Sequence, residues 1–110
     1  MNKIDIASPC YPDKFISMWG SLRDTVYEIF TENRDNDKVM KAVGCIDVFD
    51  DIIREYRDQS FFISAVTVVL CRVQLAAGEC YREGIIKRNQ VLHIENILSE
   101  MREYIKRNYV

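Results

Sequence analysis

Residues 61–77 read FFISAVTVVLCRVQLAA, and the fold turns on whether this run is a strand or a helix. The β-branched piece Val66-Thr67-Val68-Val69 would suit a central strand. The run as a whole contains no Gly or Pro, and strands rarely exceed about ten residues. Its length therefore predicts a helix. Because the apolar side chains recur almost all round it, the helix is expected to be buried on most sides. A membrane span needs about 20 largely apolar residues, and this run is interrupted by Arg72 and Gln74. The expectation is a core helix, over about 60–82, with no membrane partner.

Working outward toward the N-terminus, Val39, Ala42, Ile46, Phe49, Ile53 and Tyr56 fall on one face of a second helix, about 37–57. Its other face carries Lys41, Asp47, Asp50, Asp51, Arg54 and Asp58. Asp58, Gln59 and Ser60 then offer a turn and a cap. A further helix, about 12–32, has Phe15, Trp19, Leu22, Val26 and Ile29 spaced four, three, four and three apart. Gly20 inside it lowers helix propensity and hints at close packing against a neighbour. The polar stretch TENRDND, residues 31–37, separates these two helices. Residues 1–11, with Ser8-Pro9 and Tyr11-Pro12, read as an irregular arm.

On the C-terminal side, Gly78 and Gly84 bracket a stretch that either kinks or separates two helices. The pattern resumes over about 85–107, where Val91, Ile94, Leu98, Met101 and Ile105 are spaced three, four, three and four apart. That is an apolar seam of coiled-coil type. The reading is an all-α single domain, 1–110: a compact bundle of about four helices.

Composition sets the bounds on function. The 110 residues are 48% apolar and carry a formal net charge of -2, which suits a folded chain. So even a balance gives no electrostatic case for nucleic acid or an anionic membrane. Cys10, Cys45, Cys71 and Cys80 are scattered without a C-x-x-C pair. Three of them lie inside apolar helical patterns, where a thiol behaves as a small buried hydrophobe. With no apolar leader at Met1–Ile6, a reducing cytoplasmic setting is expected. Cys80 and His93 are too far apart and too few for a zinc site. The glycines are isolated, so no phosphate or dinucleotide loop is present. No cofactor and no metal are expected.

Three segments could carry chemistry or association. Arg88-Asn89-Gln90-Val91-Leu92-His93 contains the only histidine. The string R-N-x-x-x-H resembles the signature of the HEPN-domain superfamily, small helical bundles that include metal-independent RNases. The resemblance implies that Arg88 stabilises phosphate charge and that His93 does acid–base work across a dimer interface. Asn89 matches the polar residue that follows the arginine. An arginine fork and an imidazole suit that chemistry. Five residues of regular helix turn a side chain through about 140°, so a kink or a second protomer would have to bring Arg88 and His93 together. The plainer reading makes Arg88 a solvated charge and His93 a residue flanking the seam.

Asp47 and Asp51 share a helix face and could hold a divalent cation, but Lys41 and Arg54 lie within helical reach and favour a solvated polar face. Trp19, Phe15, Tyr27, Phe30, Phe49 and Phe61 sit at core spacings and read as packing. The third segment is the seam itself. A 110-residue bundle has limited interior to hide both it and the apolar run 61–77, so either a partner covers part of that surface or the two helices form the centre of a monomeric bundle. The function expected is a protein–protein interaction module, such as an adaptor, inhibitor, immunity or regulatory protein. It would bind a protein partner or form a homodimer, with Val91, Ile94, Leu98, Met101 and Ile105 as its interface. The alternative is a HEPN-like RNase acting on RNA.

Overall fold

The computed structural model describes residues 12–33, 35–55 and 63–108. It contains four helices: α1 (Asp13–Phe30), α2 (Asp37–Glu55), α3 (Ile63–Arg82) and α4 (Arg88–Asn108). A single 3₁₀ turn, Thr31–Asn33, follows α1, and there is no strand among the described residues. The arm 1–11, Tyr56, the turn Asp58–Ser60 and Phe61 lie outside the described residues. Each helix packs on the next, and α4 closes the ring by packing back on α1. Ion pairs and hydrogen bonds such as Trp19 to Asp50 and Lys38 to Glu83 join early positions of one helix to late positions of the next. Neighbouring helices therefore run antiparallel, and the chain is an all-α four-helix bundle.

The helix ends follow from local chemistry. Asn36 caps α2, its Oδ1 accepting from the backbone N–H of Lys38 at 2.9 Å and of Val39 at 3.3 Å. At the start of α4 the Gln90 Oε1 reaches back to the N–H of Lys87 at 2.8 Å, half of a capping box. The end of α3 depends on Gly84, whose φ of 75° lies in the left-handed region. There the Ile85 N–H bonds to Cys80 C=O and the Gly84 N–H to Tyr81 C=O. This pair of bonds is a Schellman motif. The question posed by the two glycines is thereby answered: Gly78 lies within α3, and Gly84 stops the helix and delays α4 until Arg88.

The core takes one stripe from each helix. α1 gives Phe15, Trp19, Leu22, Val26 and Phe30, the last in place of the expected Ile29, which is only half-buried. α2 gives Val39, Ala42, Ile46, Phe49 and Ile53. Trp19 and Phe49 meet edge to face, with ring centroids 4.8 Å apart. Gly20 has no tight neighbour, since a Cβ there would meet nothing nearer than the Arg23 guanidinium at 4.0 Å. The expected close packing at Gly20 is absent.

α3 departs from expectation. Only Val66, Leu70, Val73, Ala77 and Cys80 are buried, while Val68, Cys71 and Leu75 are exposed. The reason is geometric. A helix buried all round needs neighbours on every side, and in this ring α3 has two, α2 and α4. By length and composition it is also the one helix among the described residues apolar enough to cross a membrane.

Candidate functional site

α4 opens at Arg88, so Arg88 and Asn89 are first-turn residues and His93 begins the second turn, all three exposed. Asn89 and His93 are four residues apart and share a face. With Glu28, Ile29 and Gln90 they line a shallow hollow between α1 and α4. His93 Nε2 lies 3.5 Å from Thr25 Oγ1 of α1. Arg88 is not part of the hollow's wall. One chain thus brings Asn89 and His93 together and leaves Arg88 outside.

The seam is interior. Val91, Ile94, Leu98, Met101 and Ile105 are all buried against the other helices of the same chain. Periodicity marked the right stripe, but the occupant of its far side is α1 and α3, not a second molecule. None of the five is offered at the surface as an association face.

The acidic segment of α2 divides into three separate situations. Asp50, expected on the solvated face, is buried. Its Oδ1 accepts from Trp19 Nε1 at 3.1 Å and Arg23 Nη1 at 3.0 Å, and its Oδ2 from Arg54 Nη2 at 2.5 Å. Burial pushes this carboxyl up, but the hydrogen bonds from Trp19, Arg23 and Arg54 outweigh it and hold it below the usual range. Asp47 is exposed and accepts a hydrogen bond from the Tyr27 hydroxyl, so Tyr27 is a surface residue rather than core packing. That bond, with partial burial behind it, pushes the Tyr27 phenol up to about 12. Asp51 is exposed. No group of His, Cys, Asp or Glu among the described residues is arranged to hold a metal ion. Two consequences of position could have exposed Asp50 in the sequence. It lies four after Ile46 and three before Ile53, inside the apolar stripe, and a buried Trp needs an acceptor.

The remaining concavity of interest lies between α2 and α3. Lys41, Gly44, Cys45 and Val48 form one wall. Val68, Val69, Arg72, Leu75, Ala76 and Glu79 form the other. Leu75 (65% exposed), Val48 (62%) and Val68 (50%) are the three most exposed large apolar side chains among the described residues. All three line this one groove. Ile52, one turn beyond Val48, extends it as a further exposed apolar side chain. No protein-family model, curated protein or solved structure matches the chain. The site must therefore be read from its own chemistry. Scattered exposed apolar side chains are ordinary, whereas several converging on one concavity mark a contact surface. Sequence periodicity missed the groove because α3 is apolar on both sides, which leaves its outward face without contrast.

Proposed function

We propose that this chain is a small helical protein–protein interaction module, acting through the groove between α2 and α3. One observation carries the reading: the three most exposed large apolar side chains among the described residues, Leu75, Val48 and Val68, converge on a single groove. Water pays no attention to sequence order, and covering these side chains together removes apolar surface that the chain's own fold leaves wet. The groove is rimmed by Lys41, Arg72 and Glu79, the polar border over an apolar floor that protein interfaces favour. Cys45, Cys71 and Cys80 are free thiols, which suits the reducing cytoplasm as its working compartment.

The test is affinity capture of the tagged chain from its native cell, beside Val48→Asp and His93→Ala variants. A stoichiometric partner lost with Val48→Asp and kept with His93→Ala supports the groove. The same partners recovered with all three proteins overturn it.

A HEPN-like RNase is the second reading, and it keeps one favourable observation. Asn89 and His93 share an exposed hollow between α1 and α4. It requires a second protomer to supply Arg88. RNA cleavage in EDTA, lost in both Arg88→Ala and His93→Ala, would establish this reading, and intact RNA would remove it.

A further inference from the structure

Resting on the docking role of the α2/α3 groove, we infer that its occupant is a second copy of this chain, with α3 packed antiparallel on α3 about a two-fold axis beside Leu75. α3 carries two seams of identical spacing. The inner one, Val66, Leu70, Val73, Ala77 and Cys80, is buried in the bundle. Two residues further on, Val68, Arg72, Leu75, Glu79 and Arg82 repeat its four, three, four, three spacing. An offset of two residues rotates the second seam by about 200°, onto the opposite side of the helix. In this outer row Val68 and Leu75 are exposed apolar side chains, and the charged positions alternate in sign from Arg72 to Glu79 to Arg82.

Charge chooses the partner and its direction. Arg72 and Glu79 flank Leu75 along the groove wall, and the point midway between them is Leu75–Ala76. A two-fold axis there sets Leu75 on Leu75 and brings Arg72 of each copy opposite Glu79 of the other. A parallel pairing would set Arg72 on Arg72 and Glu79 on Glu79, which like-charge repulsion disfavours. Cations of its own chain already stand near Glu79: Lys38, which pairs with Glu83 at 2.9 Å, also feels the Glu79 charge, and Lys41 is on the α2 wall of the same groove, so Arg72 of the second copy adds to a partner set already there. On the α2 wall of the groove stands Gly44, where even an added Cβ would meet nothing within 4 Å, so the groove has room for a side chain from outside. A self-complementary patch of this kind is what a two-fold dimer requires.

The groove has about ten lining residues, below the 20–30 per side of a standard interface, so the dimer is expected to be weak, with a dissociation constant in the micromolar range.

The experiment is sedimentation of the full chain from low micromolar to near-millimolar concentration, with Arg72→Glu, Glu79→Arg and an equimolar mixture of the two. Arg72 is exposed and Glu79 half-buried in the single chain, and neither belongs to the core, so circular dichroism should report unchanged folding. The wild type is expected to dimerise, and each single reversal to weaken dimerisation about tenfold or more. The mixture is expected to recover wild-type affinity, because every reversed charge then meets its opposite. A wild type that stays monomeric overturns the inference, as does a dimer indifferent to both reversals or a mixture no tighter than its components. A monomeric wild type whose partner is still lost with Val48→Asp would remove the second copy while leaving the groove's docking role in place.

Discussion

Trp19 and Asp50 meet inside the bundle, the indole Nε1 donating to the carboxylate Oδ1 at 3.1 Å. The contact joins α1 to α2 and leaves the largest side chain in the core with its one polar atom satisfied. Arg23 and Arg54 approach the same carboxylate from the surface side, and Arg23 remains about 30% exposed. The charge of Asp50 is thus compensated without drawing either guanidinium fully out of water.

Replacing Asp50 removes the acceptor that Trp19 depends on. Asp50→Ala is expected to cost about 2–4 kcal/mol, since it strands a buried N–H and separates two arginines from their counter-charge. Asp50→Asn keeps an acceptor for the indole and should cost less, about 1–3 kcal/mol. Urea unfolding of the two variants, compared with wild type, gives both figures. Equal stability of all three proteins would refute the role assigned to Asp50.

Acid should act on the same residue. The folded-state carboxyl is held below its ordinary range, so the unfolded chain takes up the proton first as pH falls. The stabilisation is complete above the unfolded value of about 4 and is lost as pH drops through the lower folded value. Melting temperature is expected to fall below about pH 4, and to fall less steeply in Asp50→Asn. Superimposable pH profiles would show that Asp50 does not set the acid limb.

Helical glycines offer the opposite sign. Gly78 lies within α3 without positive φ, and a Cβ there meets nothing within 4 Å. Gly78→Ala should stabilise the protein by about 0.5–1 kcal/mol. Gly84→Ala should destabilise it by about 1 kcal/mol or more, because φ at 75° is costly for a residue with a Cβ. Thermal melts of the pair should move in opposite directions.

Position along α3 separates stability from association. Leu70→Ala empties core volume and should cost about 2–5 kcal/mol. Leu75→Glu changes a mostly exposed side chain and should alter stability by about 0.5 kcal/mol or less. It should nonetheless abolish any complex made through the groove. Calorimetry for the first effect and sedimentation for the second read the two independently.

The bundle was legible in the sequence wherever polar and apolar residues alternate with helical period. α1, α2 and α4 all show this contrast, and the stripes through Trp19, Ile46 and Leu98 are the ones the structure buries. α3 lacked it: with apolar residues on both sides, periodicity could not say which seam faces inward, and Val68 and Leu75 could not be told from Val66 and Leu70. Asp50 was hidden for the converse reason, a charged residue at an apolar position whose partners lie on α1 and one turn away. Helix periodicity already turned Arg88 about 140° away from His93; what the sequence left out is the α1 wall, Glu28 and Ile29, of the hollow that Asn89 and His93 share.

Because α4 packs back on α1, the beginning of the first helix and the end of the last lie side by side, and Lys14 and Asn108 line one hollow. A short linker could therefore bridge those two ends, and new termini could be opened in the turn between α1 and α2. Such a circular permutant would keep every helix contact while changing the order in which the helices are synthesised. A reporter inserted in that linker would sit on the α1/α4 flank, across the bundle from the groove between α2 and α3.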